Sequence, residues 1–313
     1  MSSTSDQNLT CDIILVVGED QVRISASSLL LSMASKPFSK MLGPNFKEGQ
    51  PNDGSTGKEI PLPADKPSAI ELMCNIIHHR IHETSHTPAA IEIHDLAIVS
   101  DKYDCIRATA LAARAWINPN SARDTNKLGF FLISASIFAL PEAFYKVSMS
   151  LVINHQGSYK VLEDVPGFIE RLGWETIRKL ASLTHPRWQA KNYIFLVQLE
   201  EKRNSVRQEI NKELVLNLNG VSCSWKCDWS AQQLRRWFEH LQAVDLLPVE
   251  GSERLSNVIS RAECSAALDS DALSSQCKSA RYHRGLDTGS RNHSLTRVMN
   301  SSGLCLSDCI LIT

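Results

Sequence analysis

Between Cys11 and Leu42 the hydrophobic period of the chain changes from about two to about 3.6, which demands a fold that mixes strands and helices. Residues 11–17, "CDIILVV", are β-branched and aliphatic and too short for a helix, and "GEDQ" follows with turn chemistry. Residues 22–24, "VRI", then alternate apolar, charged and apolar, as the second arm of a hairpin with one buried face would. In "SASSLLLSMASKPFSKML" a serine caps a first helix that runs through Met33. Pro37 fits the first turn of a second helix, which ends before Gly43 and Pro44. A strand hairpin therefore feeds a tight helical pair.

Beyond that pair, "QPNDGSTGK" is a surface loop by composition and "EIPLP" a short strand. The "GSTGK" within the loop is not a phosphate loop. A Walker loop places four residues between its first glycine and the Gly-Lys pair and follows them with Ser or Thr. Here two residues separate Gly54 from Gly57, and Glu59 follows Lys58. Asp65 as a cap and Pro67 in the first turn then open a helix whose Ile70, Met73, Cys74, Ile77 and Ile81 form one apolar stripe.

At the end of that stripe stands "HETSH", residues 82–86, which resembles the H-E-x-x-H pattern of zinc proteases. Two histidines one helical turn apart hold the metal in such enzymes, and the glutamate acts as general base. Here Thr84, Ser85 and Thr87 are poor helix formers, and Pro88 steers Thr87 out of helical geometry. A third ligand at metzincin spacing would fall on Glu92. The metalloenzyme reading is therefore the weaker one, and a solvated loop between helices is expected; His78, His79 and His94 read the same way.

Charge excludes further classes. Lys and Arg number 33 against 34 Asp and Glu, so no global field attracts nucleic acid or an anionic membrane. The longest apolar run, Phe130 to Leu140, ends at Pro141 and Glu142 and falls short of the roughly 20 residues that cross a bilayer. It reads as a buried helix. "MSSTSDQNLT" lacks a basic start and an apolar run, so residues 1–10 are expected to be disordered, and the address intracellular, cytoplasmic or nuclear. Nine cysteines is an odd number, and Cys74 and Cys105 sit in apolar stretches as small hydrophobes, so no disulfide framework is implied.

Taken in order, "CDIILVVG", "LSMASKPFSKML", "FKEG", "EIPLPAD", "IELMCNIIHHR" and "LAIVSDKYDCIRATALAARAW" resemble a BTB/POZ domain over residues 11–117, particularly the kind found in fungal proteins. The resemblance implies an α+β fold, a small β-sheet wrapped by helices, that serves as a non-enzymatic docking module without a cofactor. It places Lys102 and Tyr103 at a packed helix end. It also implies two partner sites. Members that recruit a cullin for ubiquitin transfer use a hydrophobic-x-glutamate element, matched here by Phe46, Lys47 and Glu48. Members that homodimerise use an aspartate in the opening strand, matched by Asp12, although Ser27, Ser28 and Leu29 stand where its basic partner is usual.

Past Trp116, "NPNS" marks a linker, and a helical periodicity resumes from "LGFFLISASIFALPEAFYKVSMSLV", so residues 118–277 are expected to form a mostly helical region. Leu199, Val206, Ile210, Leu214 and Leu218 share one face over about three heptads. Cys223, Cys227, Cys264, Cys277 and His283 would suffice for one zinc but lack the tight paired spacing of a zinc finger. Residues 278–313 read as a flexible basic tail. The expected function is a protein-interaction module, either a substrate adaptor of a cullin-type ubiquitin ligase or a transcription-linked oligomerising protein.

Overall fold

The computed structural model describes residues 11–46, 58–81, 87–122, 124–168, 172, 194–216, 229–246, 253–264 and 288–305. By contact the chain divides into two compact units, with the division inside a helix after Phe144.

The first unit is built on strands β1 (Ile13–Val17), β2 (Val22–Ala26) and β3 (Lys58–Leu62) in the order β2-β1-β3. β1 runs antiparallel to β2, with Leu15 opposite Ile24, and parallel to β3, with Leu15 opposite Ile60. The alternation of each strand turns Ile13, Leu15, Val17, Ile24, Ala26, Ile60 and Leu62 into the core and leaves the other face to solvent. Seven helices complete or follow this sheet: α1 (Ser28–Ala34), α2 (Lys36–Met41), α3 (Pro67–Ile77), α4 (Ala90–Lys102), α5 (Ile106–Trp116), α6 (Thr125–Ile137) and α7 (Pro141–Asn154). This is the expected α+β architecture, a three-stranded sheet wrapped by helices and followed by a mostly helical region.

Two of the expected helix caps are placed differently. Ser27 precedes α1, but its side chain makes no capping hydrogen bond. Ser35 does cap α2, accepting from the Phe38 amide at 3.0 Å. Asp65 does not cap α3, whose N-cap is Lys66. Its buried carboxylate instead takes Lys102 Nζ at 2.6 Å and the Tyr103 hydroxyl at 2.6 Å. Tyr103 stacks on the fully buried Phe38 at 4.6 Å between ring centroids, and its carbonyl accepts the Ser35 hydroxyl at 2.6 Å. One cluster thus joins the start of α3, the end of α4 and the junction of α1 with α2. Lys102 and Tyr103 hold the fold together, as a packed helix end should.

The stripe on α3 buries Ile70, Met73, Cys74 and Ile77, but the helix stops at Ile77, short of Ile81 and His82. His79 takes a left-handed conformation (φ 56°), the His79 amide bonds to Ile76 O, and the Arg80 amide bonds to Asn75 O at 2.7 Å. This paired closure, known as a Schellman motif, ends a helix by satisfying its last carbonyls. α4 and α6 end the same way, at Asp104 (φ 51°) and Ala139 (φ 51°), with Cys105 bonded to Ser100 O and Leu140 to Ala135 O. None of the three positions carries the glycine that usually fills this role.

α6 was expected to open the helical second half. It packs instead on α4 within the first unit, burying Leu128, Phe131, Leu132 and Ile133, with the Phe130 ring 5.2 Å from that of His94. Contact therefore carries the first unit past residue 117 to Phe144.

In the second unit, α8 (Ile194–Leu216), α9 (Trp229–Ala243), α10 (Leu255–Cys264) and α11 (Thr288–Asn300) follow a 3-10 turn at Tyr159–Asp164. Leu199, Val206, Ile210 and Leu214 are buried along α8 as the periodicity predicts, and the Trp237 indole, fully buried, donates to Leu214 O at 3.1 Å. Leu218 lies outside the described residues. The flexible tail needs correcting: within it α11 packs on α8 and α10 and buries Leu295 and Val298. The apolar spacing of those two residues outweighs the polar composition around them. Past α11, the Leu304 amide bonds to Ser148 Oγ at 2.8 Å, and Gly303 lies so close to Tyr145 that a Cβ there would meet its carbonyl at 2.6 Å.

Ala139 lets the helix-ending geometry be tested. A non-glycine residue held at φ 51° is strained, so Ala139→Gly should raise the stability of the chain by about 0.5 to 1 kcal/mol in chemical denaturation. A loss of stability, as glycine causes inside a helix, would contradict the left-handed assignment.

Candidate functional site

The segment after α2 turns sharply, with the Phe46 amide donating to Gly43 O at 3.3 Å. Phe46 is 50% exposed, so it does not close the core. An aromatic ring of this kind on a short turn is a ready anchor for a partner's pocket. Glu48 lies outside the described residues.

Asp12 sits at the entrance to β1, where its carboxylate accepts the Ser28 amide at 2.7 Å and the Ser28 hydroxyl at 2.5 Å. It thereby supplies the cap that Ser27 does not. Partial burial raises the pKa of this carboxyl, but the Ser28 bonds outweigh it and hold the group below its ordinary value. The adjoining amide, that of Ser27, donates to His78 Nε2 at 2.8 Å, and His78 Nδ1 lies 2.8 Å from Cys74 O. That arrangement requires a neutral ring with its proton on Nδ1. Sequence reasoning placed His78 and His94 on solvated surface, yet both are buried, at 3% and 5% exposure. His78 becomes a strut between α3 and α1, and His94 lies under α6; neither contact leaves a periodic signal.

Held at its start by Asp12 and His78, α1 turns Leu29 and Met33 outward at 66% and 77% exposure. They stand four residues apart, on one face of the helix. Two apolar side chains left in water on a fixed helix form a small adhesive face.

Cys74 and Cys105 are free thiols and buried. Burial pushes the Cys74 thiol up to about 12 and that of Cys105 up to about 11, so neither supplies a thiolate near neutral pH. "HETSH" lies outside the described residues, as do Cys223, Cys227, Cys277 and His283; Cys264 is exposed at the end of α10. Among the described residues, no group of three or more His, Cys, Asp or Glu is arranged to hold a metal ion. Glu92, where a third zinc ligand would stand, accepts the Ala89 amide at 2.7 Å and caps α4. No described helix is long and apolar enough to cross a membrane.

Comparison with protein families matches residues 1–117 to the BTB/POZ domain. No curated protein and no solved structure matches the chain.

His78 gives this arrangement a pH dependence. Burial lowers its pKa below that of a free histidine, outweighing the Cys74 carbonyl. The unfolded chain therefore takes up the proton first, so the stabilisation is present above the ordinary histidine value of about 6.5 and is lost as pH falls below it. The melting temperature should drop between about pH 7 and 5, and His78→Gln should lessen that drop. Equal pH dependence in the two proteins would contradict the neutral strut.

Proposed function

From the BTB/POZ domain at residues 1–117, generally a protein-protein interaction module, we propose that the chain is a substrate adaptor that docks a cullin-type ubiquitin ligase through Phe46 and Glu48. The observation that supports this reading is the exposure of Phe46 on the turn after α2, where the hydrophobic-x-glutamate element falls. Phe46 enters a pocket on the cullin and Glu48 orients the pair by hydrogen bonding. The helical half would carry the contact with the substrate, in the manner of a fungal-type BTB/POZ protein. The chemistry is the partner's, and this chain positions without catalysing.

A second reading, a transcription-linked protein that homodimerises through α1, draws on Leu29 and Met33. In that reading Asp12 acts indirectly. Its carboxylate is engaged by Ser28, so it fixes the start of α1 rather than pairing with a cation across the interface.

One substitution tests the adaptor reading. Because Phe46 is half exposed, Phe46→Ala should change the unfolding free energy by no more than about 0.5 kcal/mol. It should also weaken binding to a cullin by about 2 kcal/mol, roughly thirtyfold, as measured by calorimetry. Glu48→Ala should act in the same direction. Wild-type protein that binds no cullin would end the adaptor reading, and a sedimentation experiment showing a dimer dispersed by Leu29→Glu would favour the second.

A further inference from the structure

α1 is a helix of seven residues with no charged side chain in its first or last turn, and its N-cap, Ser27, makes no side-chain cap. A helix this short does not hold itself in water and stands on what neighbouring elements attach to it. At its far end the attachment is neutral and buried: the Ser35 amide donates to Leu31 O at 2.9 Å, and the Ser35 hydroxyl donates to Tyr103 O at 2.6 Å. At its start both attachments are titratable. Asp12, at the entrance to β1, takes the Ser28 amide and hydroxyl, and His78, at the end of α3, takes the Ser27 amide on Nε2 at 2.8 Å.

The two groups answer to acid in the same direction. With Nδ1 donating to Cys74 O, the His78 ring cannot take a second proton without giving up Ser27, because an imidazolium has donors only. Burial disfavours that charge, and Arg80 and His79 beside it oppose it further. The elements packed on α3 do not offset this among the described residues. α1 and α5 carry no carboxylate, and β2 brings Arg23, which is paired with Glu59. On α4, Glu92 caps its own helix, Asp95 takes Lys66 and Asp101 is exposed; on α3 itself, Glu71 lines the groove beside β2.

We propose that α1 is an acid-released element: on acidification its first turn, residues 28–31, detaches from α3 while Ser35 stays bound, and the fixed face of Leu29 and Met33 is lost before the rest of the first unit opens. The order of release follows from the two groups. An open ring takes its proton at about 6.5 and the buried one only below that, so the hold of His78 is complete above this pH and is lost beneath it. Partial burial raises Asp12, but the Ser28 bonds outweigh it, so the hold of Asp12 goes only below about pH 4. Between about pH 6.5 and 5 the release therefore belongs to His78 alone. Opening is local, since the anchors at Ser35 and Tyr103 do not titrate in that range. The device rests on neither reading of the partner.

Amide hydrogen exchange of the full chain, corrected for the intrinsic effect of pH on exchange, reads this release residue by residue. From pH 7 to 5 the protection of the Ser27, Ser28 and Leu31 amides should fall by up to about twentyfold, the added protonation of a ring that titrates near 6.5. The Ser35 amide, and the Ile93 amide bonded to Ala89 O in α4, should keep theirs. His78→Gln retains an acceptor that does not titrate, and it should abolish the selective loss; Asp12→Asn should leave the change between the two pH values as it is. If His78→Gln fails to form α1, the wild-type chain decides through the imidazole resonance of His78, whose titration must run in step with the loss of protection. The proposal is overturned if α1 and Ile93 lose protection together, if no selective loss occurs, if the loss survives His78→Gln, or if it runs out of step with the ring.

Discussion

The first unit depends on one buried carboxylate. Asp65 is nine-tenths buried, and it is kept there by the ammonium of Lys102 and the hydroxyl of Tyr103, each at 2.6 Å. A carboxylate taken out of water is costly unless charge and hydrogen bonds replace its solvation, and removing a partner leaves that cost uncompensated. The same Tyr103 ring stacks on Phe38, while its carbonyl binds Ser35, the residue that caps α2. Burial and then Asp65 push the Tyr103 hydroxyl above its ordinary pKa, so it remains a donor throughout the working pH range. Packing and polar satisfaction therefore reinforce each other at one point, where α3, α4 and the α1–α2 pair converge.

Around that frame, what the core does not use is turned outward. Phe46 stands on a turn after α2, Leu29 and Met33 on α1, and the open backbone of Arg23 and Ser25 on β2. These features do not overlap in sequence, and each suits a different kind of contact: an aromatic anchor, an apolar helix face and a strand edge. Pro61 on β3 has no amide to offer a further strand, and among the described residues no backbone group pairs with the outer edge of β2.

Much of this frame was legible from residue order. The strand hairpin, the helical pair and the α3 stripe all follow from apolar periodicity, because burial on one face is what periodicity records. The boundaries were less legible. α3 was expected to reach His82, but His79 adopts a left-handed conformation that a histidine does not announce, and the same holds for Asp104 and Ala139. Polar side chains were the hardest to place. Asp65 looks like a cap because it precedes Pro67, and His78 looks solvated, since Lys102 and Tyr103 lie more than thirty residues from the one and Ser27 more than thirty from the other. Asp12 was singled out by resemblance, yet its local role, capping α1 through Ser28, emerges only when β1 and α1 are seen side by side. The apolar run of α6 marks a buried helix, but that α4 is what it packs on lies in the tertiary contacts and leaves no periodic signal.

The central claim is that Asp65 and Tyr103 act as one unit in holding the first part of the chain together. A double-mutant cycle of Asp65→Asn and Tyr103→Phe, followed by chemical denaturation of the full chain, measures their coupling directly. The account predicts that each single substitution destabilises and that the double variant loses less than the sum, with a coupling of about 1 to 3 kcal/mol. Strictly additive losses would show that the carboxylate and the phenol stabilise the fold independently, and would contradict the account.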